Sequence, residues 1–233
     1  MKQNDKKVLI LGIGNILWAD EGFGVRAVET LNRQYEFPPH VRLMDGGTQG
    51  IYLLQHVQEA DYLVVFDAVD YGLAPGTLKL VEGDEVPRFM GARKMSLHQT
   101  GFQEVLSMAA LLGDLPEKLL LAGVQPQELE DYGGSLRPVV KAQIAPAIEA
   151  VLEWLSRLGI EARRRKALLT EALPLTPPEI DLEAYERDRP SPREAPRTGD
   201  VRVLRRTDIR FDPKPLDRRA GYMTVHVDRR RQD

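Results

Sequence analysis

The sequence contains no cysteine. That excludes disulfides, thiolate metal sites and a cysteine nucleophile. It also lacks any apolar run long enough to span a bilayer. A formal charge of −3 provides no global attraction to nucleic acid. Histidine is scarce: His40, His56, His98 and His226 are the whole set. They lie too far apart in sequence for a His-Glu-x-x-His zinc-peptidase helix. There is no Gly-x-Ser-x-Gly nucleophile elbow, because Ser135 follows Gly133-Gly134 but is succeeded by Leu136-Arg137. A phosphate loop ending in Gly-Lys-Ser/Thr is missing as well. Lys2, Lys6 and Lys7 before an apolar run imitate a signal peptide, but Gly12, Gly14 and Asn15 interrupt the run and no cleavage site follows. The expectation is a soluble, cytoplasmic protein with no membrane insertion and no nucleic-acid partner.

What is present centres on Val8–Gly24. Val8 to Leu11 is an apolar run that reads as a strand buried on both faces. It breaks at Gly12 and Gly14, delivers the adjacent carboxylates Asp20 and Glu21, and turns through Gly22 and Gly24 into a helical pattern. A dinucleotide fingerprint requires a third glycine where Leu17 stands, and two carboxylates would repel a pyrophosphate. Two readings remain: an acid group presented to a cation or a peptide, or a first-turn Glu21 favoured by the helix dipole.

The rest of the chain repeats that rhythm. Val25–Tyr35 has helical spacing, Val41–Met44 reads as a second strand closed by Asp45-Gly46-Gly47, and a helix follows over Gly50–Gln58. Tyr62–Phe66 is a third apolar strand ending in Asp67, and Thr77–Val81 reads as an edge strand after the Pro75-Gly76 turn. Two overlapping capping boxes, Ser96 with Gln99 and Thr100 with Gln103, put His98 at or just before a helix that runs to about Leu112. Leu119–Val124 is a further core strand. A long helix over Pro138–Leu158 should kink at Pro146 and end at Gly159. These elements predict a three-layer α/β/α fold with a twisted, mostly parallel sheet. Beyond Gly159 the composition changes. Residues 1–159 carry a net charge of −7, whereas residues 160–233 carry +4 and half of the sixteen prolines. The division is therefore a domain over 1–159 and a Pro/Arg-rich extension over 160–233. Pro174–Thr198 reads as linker or disorder and the extension as a largely flexible basic tail, with a small β element as the alternative because Val201–Val203 and Met223–Val227 alternate like strands.

In a parallel sheet Glu21 and Asp67 both lie at the carboxyl edge and could converge with His98. Two carboxylates and an imidazole suit nickel, zinc, manganese or cobalt. Asp20 rivals Glu21 for that role, and Asp45 ends the second strand at the same edge. Taken singly, each has a plainer reading as a cap, a turn residue or a solvated side chain.

Gly12-Ile13-Gly14-Asn15-Ile16-Leu17 followed by Asp20-Glu21-Gly22-Phe23-Gly24-Val25 resembles the opening of the [NiFe]-hydrogenase maturation endopeptidases. Asp45-Gly46-Gly47-Thr48, Phe66-Asp67-Ala68, Pro75-Gly76-Thr77, Ser96-Leu97-His98-Gln99 and Gly123-Val124-Gln125-Pro126 resemble later blocks of that family in the same order. The resemblance covers about Val8 to Leu158. It implies removal of a short C-terminal peptide from the precursor of the hydrogenase large subunit after nickel insertion, with that subunit as partner. It also implies that Glu21, Asp67 and His98 are the metal-binding and catalytic trio, acting on nickel carried by the substrate, with no organic cofactor. Leu97 stands where proline is more usual in the family. A non-catalytic nickel-checking binder of the large subunit is the alternative, and a nucleotide-binding oxidoreductase a distant third.

Overall fold

Strands that are apolar on both faces need cover on both sides, and the chain supplies it. The computed structural model describes residues 6–89, 97–166 and 174–190, with the backbone alone at 88–89 and 97–100. In order the elements are β1 (Val8–Ile13), α1 (Phe23–Gln34), β2 (Tyr35–Glu36), β3 (Val41–Gly47), α2 (Leu54–Gln58), β4 (Tyr62–Ala68), β5 (Leu78–Glu82), α3 (Val86–Phe89), α4 (Leu97–Leu112), β6 (Lys118–Val124), α5 (Pro138–Lys141), α6 (Ile144–Arg157), β7 (Arg163–Arg164) and α7 (Leu182–Asp188). Five strands form one sheet in the order β3-β1-β4-β6-β5. All neighbours are parallel except β5, which pairs antiparallel with β6 at the edge. This is the three-layer, mostly parallel fold that the sequence predicts.

Alternation along the strands divides the core in two. Val8, Ile10, Tyr62, Val64, Phe66, Leu120 and Ala122 pack with Phe23, Ala27, Val28 and Leu31 of α1 and with Ile148, Val151 and Leu155 of α6. Leu9, Leu11, Leu63, Val65, Leu119 and Leu121 face the other way, against Leu53, Val57 of α2, and Phe102, Val105 and Leu106 of α4. Asp67 follows the parity of Val65 and lies on the α2/α4 face, whereas Asp45 follows Leu43 toward α1. Successive strands run outward from β1 to β3 and then across to β4, so the crevice between the carboxyl ends of β1 and β4 is the topological switch point where open α/β sheets bind ligands. Among the described residues no helix is long and apolar enough to cross a membrane.

Two expectations are corrected. The long helix breaks at Ala142-Gln143, upstream of Pro146. Gln143 is the N-cap of α6, so Pro146 falls in its first turn, where its missing N–H leaves no intrahelical bond unmade. Gly159 does end the helix as read: at φ +74° it lets the Ile160 amide donate to Leu155 and its own amide to Ser156, a Schellman closure. The second correction concerns the segment read as linker. One compact unit extends past Gly159 to Arg189. Arg163–Arg164 pair antiparallel with Tyr35–Glu36, and Leu175 and Leu182 pack on the α1/α6 core. Val201–Val203 and Met223–Val227 lie outside the described residues.

The switch point depends on one close approach. A Cβ on Gly24 would stand 2.1 Å from the Phe66 carbonyl oxygen and 2.3 Å from that of Ile13. The start of α1 therefore wedges against both β1 and β4 because residue 24 has no side chain. Gly24→Ala would push backbone against backbone, and it is expected to lower unfolding stability by about 1–3 kcal/mol or more. An unchanged midpoint in urea would show that the contact is slack.

Candidate active site

The loop from β1 to α1 folds back on itself. A Cβ at Gly14, which has φ +132°, would collide with the Glu21 carbonyl at 1.8 Å, and the Asn15 amide donates to that carbonyl at 3.1 Å. Glu21 is held in a 3-10 turn, Ala19–Gly22, that packs against β4. Asp67 stands near the end of β4, 2% exposed, and its Oδ2 has no hydrogen-bond partner among the described residues. Burial raises its carboxyl well above the usual aspartate range; the Ala68 amide works against this, and the neighbouring charge of Glu21 adds to it. The two carboxylates predicted from sequence are thus neighbours at the switch point. His98 is the second residue of α4. The first turn of that helix lies at the same sheet edge, because Gly101 abuts Gly50 just after β3. The His98 side chain lies outside the described residues, and among those described no group of three His, Asp or Glu residues could hold a metal ion.

Asp20, the rival of Glu21, has a different task. It is fully buried. Its Oδ2 accepts from the amides of Gln127 (2.9 Å) and Glu128 (2.8 Å), and its Oδ1 from that of Arg137 (2.6 Å). Its own amide donates to the Glu128 carbonyl. Gly133 donates to Leu17, and Trp18 bridges Tyr132 with their rings edge to face at 5.2 Å. The loop over 127–137 is thereby stapled to the loop carrying Glu21. Ala19 sits at φ +43°, a left-handed conformation costing about 1–2 kcal/mol in a non-glycine residue. The bonds around Asp20 hold it there.

Asp45, the other carboxylate at this edge, lies on the opposite face of the sheet from Asp67. Its parity turns it toward α1, where burial raises its carboxyl to about 6; Glu29 adds to the rise, and the Gly47 amide and Arg26 oppose it. Among the described residues no hydrogen bond of good geometry reaches its Oδ1. Nothing in its sequence surroundings marks Tyr71 as part of a site. Gln125 Oε1 accepts from the amides of Tyr71 and Leu73 and so shapes the turn after β4. The Tyr71 hydroxyl fills the space in front of Gly123, the register partner of Asp67, and Lys79 lies 5.0 Å over its ring. Burial raises the phenol and the charge of Asp67 raises it further, which places Tyr71 as a wall of the site beside that carboxylate.

Asp45 supplies a pH test. Its folded value lies above the ~3.9 of an unfolded aspartate, so ionisation costs stability. The cost is absent below about pH 4, grows through pH 6 and is complete above it. Because the residue is only partly buried, solvent screening reduces it to about 1–2 kcal/mol. Asp45→Asn is expected to match wild-type stability near pH 4 and to exceed it increasingly toward pH 7. A gap independent of pH would refute the assignment.

The sequence model of a family described as "Hydrogenase maturation protease" matches residues 25–154. The hydrogenase expression/formation protein HupD of Thiocapsa roseopersicina is 63% identical over 202 residues, covering 87% of this chain and 91% of that one. The hydrogenase 2 maturation protease of Escherichia coli is 44% identical over 163 residues, covering 70% of this chain and 98% of that one. Among solved structures, the hydrogenase maturating endopeptidase HybD from Escherichia coli superposes with a TM-score of 0.65 at 43% identity, over 68% of this chain and 98% of that chain.

Proposed function

Because the chain belongs to the hydrogenase maturation protease family, we propose that it removes the C-terminal peptide from the precursor of a [NiFe]-hydrogenase large subunit once nickel has been inserted. As a protease it hydrolyses a peptide bond: water adds at the carbonyl carbon, the C–N bond breaks, and a carboxylate and an amine leave. The observation that carries the finer reading is the Glu21–Asp67 pair, with a buried Asp67 oxygen left without a partner at the switch point. A buried carboxylate in that state gains a large favourable interaction when a cation arrives. Nickel enters as part of the substrate. Two carboxylates and His98 form an incomplete ligand set, weak for free metal and suited to completing a shell already half built by substrate thiolates. Glu21, Asp67 and His98 would then fix the nickel-bearing end of the client, and the scissile bond beyond it would be presented to the crevice. Holding a reacting group in place is itself a large contribution to rate.

The test uses purified protein with a nickel-loaded precursor and its nickel-free counterpart, with truncation followed by mass spectrometry. Cleavage of the loaded form alone is expected. His98→Ala and Asp67→Asn should keep the wild-type fold by circular dichroism and lose more than the ~10–100-fold that removal of a group outside a ligand set costs. Equal cleavage of both precursors would overturn nickel as the signal. Binding of the loaded client without any cleavage would make the protein a nickel-checking binder instead.

A further inference from the structure

Residues 174–189 lie beyond the segment that the family model matches. They form a strap across α1. Arg26, 2% exposed, donates to the Ile180 carbonyl at 2.7 Å and stands 5.6 Å from the Tyr185 ring. Arg33 pairs with Asp181 at 2.6 Å, Thr176 donates to Glu29, and Asp181 caps α7 by accepting from the Ala184 amide. These contacts grip α1 just after Glu21. The far end of the strap grips something else. Glu186 Oε1 accepts from Ser135 Oγ at 2.8 Å, and Oε2 accepts from Lys141 Nζ at 2.6 Å. Partial burial pushes the Glu186 carboxyl up, but the bonds from Lys141 and Ser135 and the charges of Lys141 and Arg189 outweigh this and hold it below its ordinary value. Ser135 and Lys141 flank Arg137, whose amide donates to Asp20 Oδ1.

We propose that Glu186 is a positioning residue for the cleavage reaction: through Ser135 and Lys141 it fixes the Arg137 amide on Asp20, and so fixes the turn that presents Glu21. The inference rests on the reading that Glu21 meets the substrate, and it gives the strap a part in that event. The strap closes a circuit. One end bears on α1, the other on the 135–141 segment, and the Glu21 turn lies between them. A carboxylate receiving one hydroxyl and one ammonium donor resists the side-to-side slip that a single bond permits. Misplacement of a substrate-binding group by about 1 Å costs up to ~100-fold in rate.

The experiment compares Glu186→Ala, Glu186→Gln and Arg33→Ala in the full-length chain. Two readouts are used: hydrogen exchange at the amides of Gln127, Glu128 and Arg137, and kcat and KM for the nickel-loaded precursor. Glu186→Ala is expected to raise exchange at Arg137 about tenfold and to lower kcat by a similar factor, with the unfolding midpoint near wild type. Glu186→Gln, which keeps an acceptor for Ser135, should recover part of both. Arg33→Ala, which removes the pair with Asp181 on the α1 side and leaves the Asp181 cap of α7 in place, should leave exchange at Arg137 at the wild-type level. Wild-type exchange at Arg137 in Glu186→Ala, or an equal rise in Arg33→Ala, overturns the proposal. Wild-type kcat alongside a raised exchange rate also overturns it. If the wild-type protein cleaves no precursor, the functional reading fails, and the exchange data still decide whether Glu186 braces the Asp20 amides.

Discussion

Asp20 is the constraint on which the presentation of the site depends. A buried carboxylate without donors would be among the costliest groups in a protein. With three amide donors it becomes a rigid junction, because each bond is charge-assisted and short. The junction joins two loops more than a hundred residues apart in sequence. It also sustains the left-handed Ala19, whose conformation a free loop would abandon. The consequence falls on its neighbour. Glu21 is only partly buried, and the place of its turn is inherited from Asp20, from the Gly14 turn and from the start of α1. Two adjacent acids thus have different physical roles: Asp20 is consumed by the architecture, and Glu21 is the one proposed to meet the substrate.

This explains what the sequence disclosed and what it withheld. Strands such as Leu9–Leu11 and Leu63–Val65 were legible because burial on both faces demands an uninterrupted apolar run. The shared edge of Glu21 and Asp67 follows from the βαβ rhythm. Asp20 could not be told from Glu21, because its partners at 127, 128 and 137 are remote in sequence and are main-chain groups, which leave no trace in residue type. Asp45 was placed at the right edge and, without strand parity relative to α1, on no particular face. The strap was misread for a related cause. Its composition is polar and rich in proline, and the surface that receives it, Arg26, Glu29 and Arg33, reads as the solvent face of an amphipathic helix. Only when the two polar surfaces are seen together does either become intelligible as buried.

The two faces of the sheet divide the work at the same edge. On the α2/α4 face, Asp67 is enclosed by apolar residues, with Tyr71 beside it and Glu21 close by. Such a carboxylate is destabilised as an anion and has much to gain from a cation. On the α1 face, Arg26 and Glu29 are equally buried, yet they are paired at 3.0 Å and receive further bonds from the strap. Arg26 retains one nitrogen without a hydrogen bond, and the Tyr185 ring supplies what compensation there is. A buried ion pair of this kind adds little net stability over an apolar equivalent, since desolvation offsets attraction. Breaking it by removing one partner is another matter, for it leaves an uncompensated charge. The pair therefore acts as a condition on geometry: α1 can be buried on this side only if the strap lies in one register, with Ile180 and Thr176 opposite Arg26 and Glu29. That requirement sets where Glu186 falls, and it makes residues 174–189 part of how the carboxyl edge of the sheet is held.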